Sequence, residues 1–163
     1  MASIPGRGTG DMAEKTLQVQ VVTPYEMFFD GPVEMVVVTS KDGELGVMPG
    51  HTPVIAALTP GEVRLKIDNE WLVLCATNGY AEIGPELTMI VVNAAEWPDQ
   101  IDVRRAEKSL ARAEKRLKDP LATAQDKTHA KHASGRAKAR LKIAARHGEA
   151  AQHYLYKTEN TAN

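Results

Sequence analysis

Ser40-Lys41-Asp42-Gly43-Glu44-Leu45-Gly46-Val47-Met48-Pro49-Gly50-His51-Thr52-Pro53 is a turn-dense stretch with three glycines and two prolines. Glycine admits positive φ or close backbone approach, and proline fixes φ and removes a donor. Only Leu45 to Met48 is apolar between them. The stretch therefore predicts a tight turn, a brief extended piece and a rigid second turn. Punctuation of this kind joins short strands.

Both flanks read the same way. Leu17, Val19 and Val21 alternate with polar residues, Val33, Met35 and Val37 give a second alternating face, and Val63, Leu65 and Ile67 a third. Asp68-Asn69 then signals a turn before Trp71-Leu72-Val73-Leu74, and Tyr80, Glu82 and the run Leu87 to Val92 complete the series. Further turn signals fall at Asp30-Gly31-Pro32, Thr59-Pro60-Gly61, Asn78-Gly79 and Gly84-Pro85. Many short strands with no helix between them predict an antiparallel β-sandwich of about ten strands over residues 16–98. Residues 1–15 are Gly-rich, polar and without period, and read as a disordered leader. Gly6-Arg7-Gly8-Thr9-Gly10 lacks the Gly-Lys-Ser/Thr ending and preceding strand of a phosphate loop.

At Pro98-Asp99 the period changes. Val103, Ala106, Leu110, Ala113 and Leu117 make one apolar stripe at 3-4-3-4 spacing. Asp99 or Asp102 suits the cap of this helix, and Asp119-Pro120 ends it. A second helix is expected over about Ala124 to His147, with Ala130, Ala133, Ala137, Leu141 and Ala144 near one face. Alanines let helices approach closely but bury little area, so weak docking of the hairpin is expected. Ser134-Gly135 weakens it further. The α+β reading is thus a sandwich, a two-helix hairpin over 99–148 and a flexible tail over 149–163.

The chain has 163 residues, 43 % of them hydrophobic and 25 % charged, as in ordinary globular proteins. No apolar run reaches the roughly 20 residues that span a bilayer, and residues 1–15 have no apolar signal core. A soluble, non-secreted chain is expected, meeting a membrane only through partners. The one cysteine, Cys75, sits in an apolar run and predicts a buried strand thiol. The net charge of −1 hides an asymmetry. Residues 1–100 carry five Lys/Arg against fourteen Asp/Glu, and residues 101–163 fifteen against seven. Two modules with different partners are expected. The basic half suits nucleic acid, an anionic membrane, a nucleotide phosphate or an acidic protein surface.

From spacing alone, Ile101-Asp102-Val103-Arg104-Arg105-Ala106 is a helix cap followed by solvated arginines. Arg105 and Arg112, seven apart, share a helix face, and Arg136 and Arg140 share another at i, i+4. His51 has no nucleophile or carboxylate constellation around it in sequence. His129 and His132 lack an evident third ligand, so no metal site is expected. No Walker lysine, nucleophile elbow or paired catalytic carboxylates occur, so no catalytic residues are assigned.

The string G-E-L-G-V-M-P-G-H-T-P over residues 43–53 resembles the signature loop of the epsilon subunit of F-type ATP synthases, and the likeness extends over Thr16 to Leu141. It implies a non-catalytic central-stalk subunit on the cytoplasmic face of a bacterial plasma membrane, coupling rotor rotation to ATP synthesis. Loop residues Glu44, Leu45, Gly46, Val47, Met48, Pro49, Gly50 and His51 would meet the gamma subunit and the c-ring. The helices would form a mobile arm that inhibits ATP hydrolysis against the alpha and beta subunits. Bacillus-type members carry I-D-x-x-R-A as an ATP-binding motif, matched here by Ile101, Asp102, Arg105 and Ala106. Glu96 and Arg112 match flanking positions, and Arg136 and Arg140 match R-A-x-x-R-L on the second helix. ATP would then be a regulatory ligand, with no obligatory cofactor. The alternatives are a nucleic-acid-binding module using the basic half and an independent ATP-hydrolysing enzyme.

Overall fold

In a computed structural model of the chain, residues 15–149 are described. The expectations for residues 1–14 and 150–163 lie outside the described residues. Ten strands precede two helices: β1 (Leu17–Val22), β2 (Met27–Val33), β3 (Met35–Ser40), β4 (Gly43–Val47), β5 (Val54–Leu58), β6 (Gly61–Ile67), β7 (Glu70–Ala76), β8 (Gly79–Ile83), β9 (Leu87–Val92) and β10 (Ala95–Glu96). A 3-10 turn, Pro98–Gln100, leads into α1 (Val103–Lys118) and α2 (Ala124–His147).

The strands follow the order β10-β7-β6-β3-β5-β8-β9-β1-β2, with β4 paired to β3 outside that path. This long sheet curls around one core, because side chains alternate between its faces and every strand must bury one of them. Leu17, Val19 and Val21 of β1 are fully buried, and so are Val36, Val38, Leu65, Leu74 and Ile90. One pairing departs from the antiparallel expectation: β1 runs parallel to β9. No tight turn joins that pair, so no hairpin fixes its direction.

The phase expected for β3 is also corrected. The face Val33, Met35, Val37 does not exist, because Glu34 separates β2 from β3 and resets the alternation. Val36 and Val38 join Val33 in the core, whereas Val37 is buried outside that cluster and Met35 is half-buried. The Asp68-Asn69 turn does form, with positive φ of 50° and 63°, as a two-residue hairpin between twisted strands requires.

Asp102 caps α1, its carboxylate accepting from the Arg105 amide at 3.0 Å. Thr123 caps α2 through a capping box with Asp126, whose carboxyl is held below its usual range first by the Thr123 amide. The two helices pack through small side chains: Ala106 and Ala113 on α1, Ala130, Ser134 and Ala137 on α2, all buried. Much of the apolar α2 stripe is therefore real. Ile143 lies off it and is 1 % exposed, packed with Ile101, Cys75 and Ala144 on the outer face of the sheet. This second face of α2 docks the hairpin on the sandwich, and of the alanine pattern only Ala144 reaches it.

Gly135 is exposed, and an added Cβ there would meet nothing within 4 Å. Gly135→Ala is expected to stabilise α2 by about 1 kcal/mol, since only helix propensity changes. Amide exchange along α2 should slow roughly fivefold; faster exchange would contradict the reading.

Candidate functional site

The site is built where α1 and α2 lie side by side. The Asp102 cap starts α1 so that Arg105 falls in its first turn. Seven residues on, Arg112 returns to the same face. Arg136 and Arg140 project from α2, one turn apart. The small residues at the helix contact bring the backbones close, and the long arginine stems flank a cleft of about 460 Å³. That volume is in the range of small-molecule sites, roughly 300–1,000 Å³.

Glu96, Asp102, Arg105, Ala106, Arg112, Arg136 and Arg140 all line this cleft. Of the eight residues singled out in sequence, Ile101 alone lies elsewhere. It is 7 % exposed, in the apolar patch beneath α2, where it anchors the chain just before α1. Three lining residues were not anticipated: Gln100, Ser109 and Ala137. Ser109 was legible, being four residues after Arg105 and three before Arg112 on one face. Gln100 was not, because its place depends on the 3-10 turn.

Four guanidiniums face two carboxylates. Arg140 Nε donates to Glu96 Oε1 at 2.8 Å, and both side chains are half-buried. Asp102 is engaged as the cap. Arg105, Arg112 and Arg136 have no ion pair among the described residues. The cleft therefore keeps an excess of positive charge on planar, multi-donor groups, which is the chemistry that holds phosphate oxygens. Glu96 and Asp102 supply acceptors for amino or hydroxyl groups.

Beneath α2, burial above all pushes the Cys75 thiol up to about 12, with Glu96 and Glu62 adding to the rise and Arg140 opposing it. The shift fixes a sign. Departure of α2 removes the part of the rise that its cover causes, so the uncovered thiol ionises at lower pH than the covered one, with Glu62 and Glu96 still beside it. Docking is thus fully favoured while the thiol is protonated in both positions and weakens as pH rises toward 12.

The signature loop proves to be two structures. Glu44, Leu45, Gly46 and Val47 belong to β4, whose hairpin turn needs Gly43 at φ 116°. Glu44 pairs with Arg64 at 2.8 Å. Met48, Pro49, Gly50 and His51 form the turn after β4, where Gly50 at φ 84° donates to Pro85 O at 2.8 Å. Met48 is 60 % exposed at this end of the sandwich. His51 Nδ1 lies 2.7 Å from Thr52 O. His129 and His132 are both exposed on α2. Among the described residues no group of three His, Cys, Asp or Glu is placed to hold a metal ion, and no helix is long and apolar enough to cross a membrane.

Comparison with known proteins gives a consistent picture. Residues 16–98 match the family model described as ATP synthase, Delta/Epsilon chain, beta-sandwich domain, and residues 99–145 its long alpha-helix domain. The ATP synthase epsilon chain of Halalkalibacterium halodurans is 41 % identical over 131 residues, covering 80 % of this chain and 98 % of the relative. That of Synechococcus elongatus is 38 % identical over 130 residues, covering 79 % and 95 %. A chain of the Euglena gracilis mitochondrial ATP synthase superposes with a TM-score of 0.69 at 19 % identity, over 82 % of both chains, and so shares the fold.

Asp102→Ala should remove the α1 cap at a cost of about 1 kcal/mol, while Asp102→Asn keeps most of it. Equal thermal stability of the alanine variant and the parent chain would show that the cap does not hold Arg105 in place. The chain belongs to the epsilon chains of the F-type ATP synthase.

Proposed function

We propose that this family member works as a non-catalytic rotor subunit whose sandwich docks on partners and whose helical hairpin is a mobile, ATP-responsive arm. The observation that carries the arm's part is the cleft: four arginines from two helices converge there, three of them without a carboxylate partner among the described residues. A polyphosphate is the ligand that such a cleft suits. Bound ATP would bridge α1 and α2, so it would stabilise the folded hairpin by mass action. A ligand that prefers one arm position shifts the population toward it.

Family membership supports the rest. The sandwich would bind the gamma subunit and the c-ring, with the Met48–His51 turn toward the ring. Exposed Ile55 and Tyr80, on neighbouring strands β5 and β8, give the sandwich an apolar outer patch for a protein partner. The arm, rich in Lys and Arg, would meet the alpha and beta subunits when extended and block ATP hydrolysis. The chain would sit peripherally on the cytoplasmic face of a bacterial plasma membrane, held there by its partners. It would supply no catalytic group and need no cofactor, with ATP acting as a regulatory ligand. Phe, Tyr and Trp are absent from both helices, so neither offers the stacking platform that favours a nucleic-acid module.

Calorimetric titration of the full chain with ATP should give a one-site isotherm. Arg105→Ala should weaken it roughly tenfold or more, the loss of one charged hydrogen bond of about 1.5–3 kcal/mol, and Arg136→Ala by a similar factor. No heat at millimolar ATP would reduce the cleft to a capped helix with solvated arginines. In the assembled synthase, removing residues 101–163 should raise ATP hydrolysis and leave gamma binding intact; unchanged hydrolysis, under conditions where the intact complex is inhibited, would remove the arm's inhibitory role.

A further inference from the structure

Glu62, Cys75 and Glu96 form a cross-strand row. Glu62 of β6 and Glu96 of β10 both pair in register with Cys75 of β7 between them. Cross-strand partners project to the same side of a sheet. Here that side lies under α2. Arg140 binds Glu96, Ile143 covers Cys75, and His147 reaches Glu62. Positions 140, 143 and 147 are spaced i, i+3, i+7, one stripe of a helix. The stripe thus meets the row at three points.

Only one of these points belongs to the cleft between the helices. At the far end, His147 Nε2 lies 3.1 Å from Glu62 Oε1. A carboxylate only accepts, so Nε2 carries the hydrogen and donates. Arg146 Nη1 is 4.0 Å from the same oxygen, and Arg64 Nε is 3.9 Å from the other. Arg64 is itself held by Glu44 of β4. The remaining charges around this end are Lys142 and Arg140 on α2 and Glu96 on β10. Glu62 is only 16 % exposed. A carboxylate set against the negative end of a helix is unfavourable by itself. Arg146, in the last turn of α2, brings a positive charge to this end, and His147 brings a hydrogen-bond donor. Arg140–Glu96 sits at the nucleotide cleft, whereas Glu62 does not line it.

We infer that Glu62, with His147 and Arg146, is a nucleotide-independent catch that holds the arm against the sandwich. The catch sets the resting position of the arm as folded down before any ligand enters the cleft. Nucleotide then acts about two turns earlier on the same helix, through Arg136 and Arg140, without touching Glu62. The inference rests on the reading of the hairpin as a mobile arm, and goes beyond it by assigning the resting state to three residues outside the ligand site.

Cys75 reports the catch directly, since it is the chain's one cysteine and is covered by Ile143 and Ala144 of α2. The experiment is N-ethylmaleimide labelling of the full chain at pH 8, with and without ATP. Without ATP, the Arg146→Gln/His147→Gln variant should label roughly fivefold to thirtyfold faster, as expected for one or two lost charged contacts. Glu62→Gln should act similarly on the parent chain, but add nothing in the Arg146→Gln/His147→Gln background. Raising the ionic strength should speed labelling of the parent chain more than that of the double variant. Labelling of both variants at the parent rate would overturn the catch. So would an effect of Glu62→Gln that persists undiminished in the double-variant background, since it would then act on the thiol itself. If ATP slows labelling in none of these proteins while the variants still accelerate it, the nucleotide reading fails and the catch stands.

Discussion

The contact between one stripe of α2 and one row of the sheet is the constraint on which the rest depends. A two-helix hairpin joined through alanines and a serine buries little surface, and it has no reason of its own to lie against a sandwich. Ile143 supplies that reason. Burial of one such side chain is worth about 1.5–3 kcal/mol, and Ile101 beside it adds a similar amount. The two carboxylates flanking Cys75 then fix where along the sheet the helix rests. These magnitudes are a few times thermal energy, against a sandwich core of nineteen buried residues in one cluster. The hairpin can therefore leave without unfolding the sandwich. That difference in scale is what the proposed division into a docking module and a movable arm requires.

The cleft follows from the same small residues. Ala106, Ala113 and Ala137 let the helix backbones approach, so arginines placed one and two turns apart overhang a shared space instead of pointing into solvent. Glu96 holds a double position there. It ends the sheet at β10, pairs with Arg140 of the arm, and lines the cleft. A ligand drawing on Arg140 therefore acts on the link between arm and sandwich as well as on the link between the helices. The catch at Glu62 lies one row-length away and is untouched by that competition.

Much of this was legible in the sequence, for identifiable reasons. Turn residues marked nearly every strand boundary, because Gly, Pro and Asx fix backbone angles locally. The limits of α2 were legible because His147-Gly148 ends a long periodic stretch. Seven of the cleft's lining residues could be named from helical spacing and family likeness. What was missed depends on tertiary placement. The phase of β3 was lost at Glu34, where one residue between strands resets alternation. The parallel pairing of β1 with β9 is a matter of topology that no local pattern encodes. Ile143 was not singled out, because its partners, Cys75 and Ile101, lie 68 and 42 residues away in sequence. The signature stretch was legible as turn, extended piece and turn, and Gly43–Val47 forms β4 between the two turns.

The central claim is that one chain holds a fixed sandwich and an arm with two positions. Pulsed electron spin resonance measures this directly, with spin labels at Lys41→Cys in the β3–β4 turn and Leu121→Cys at the exposed hairpin tip, in a Cys75→Ser background. The account predicts a single narrow distance distribution for the isolated chain, with or without ATP, and a second, distinct population in the assembled synthase when ATP is withheld. One unchanged distribution in the assembled complex, with and without ATP, would contradict it.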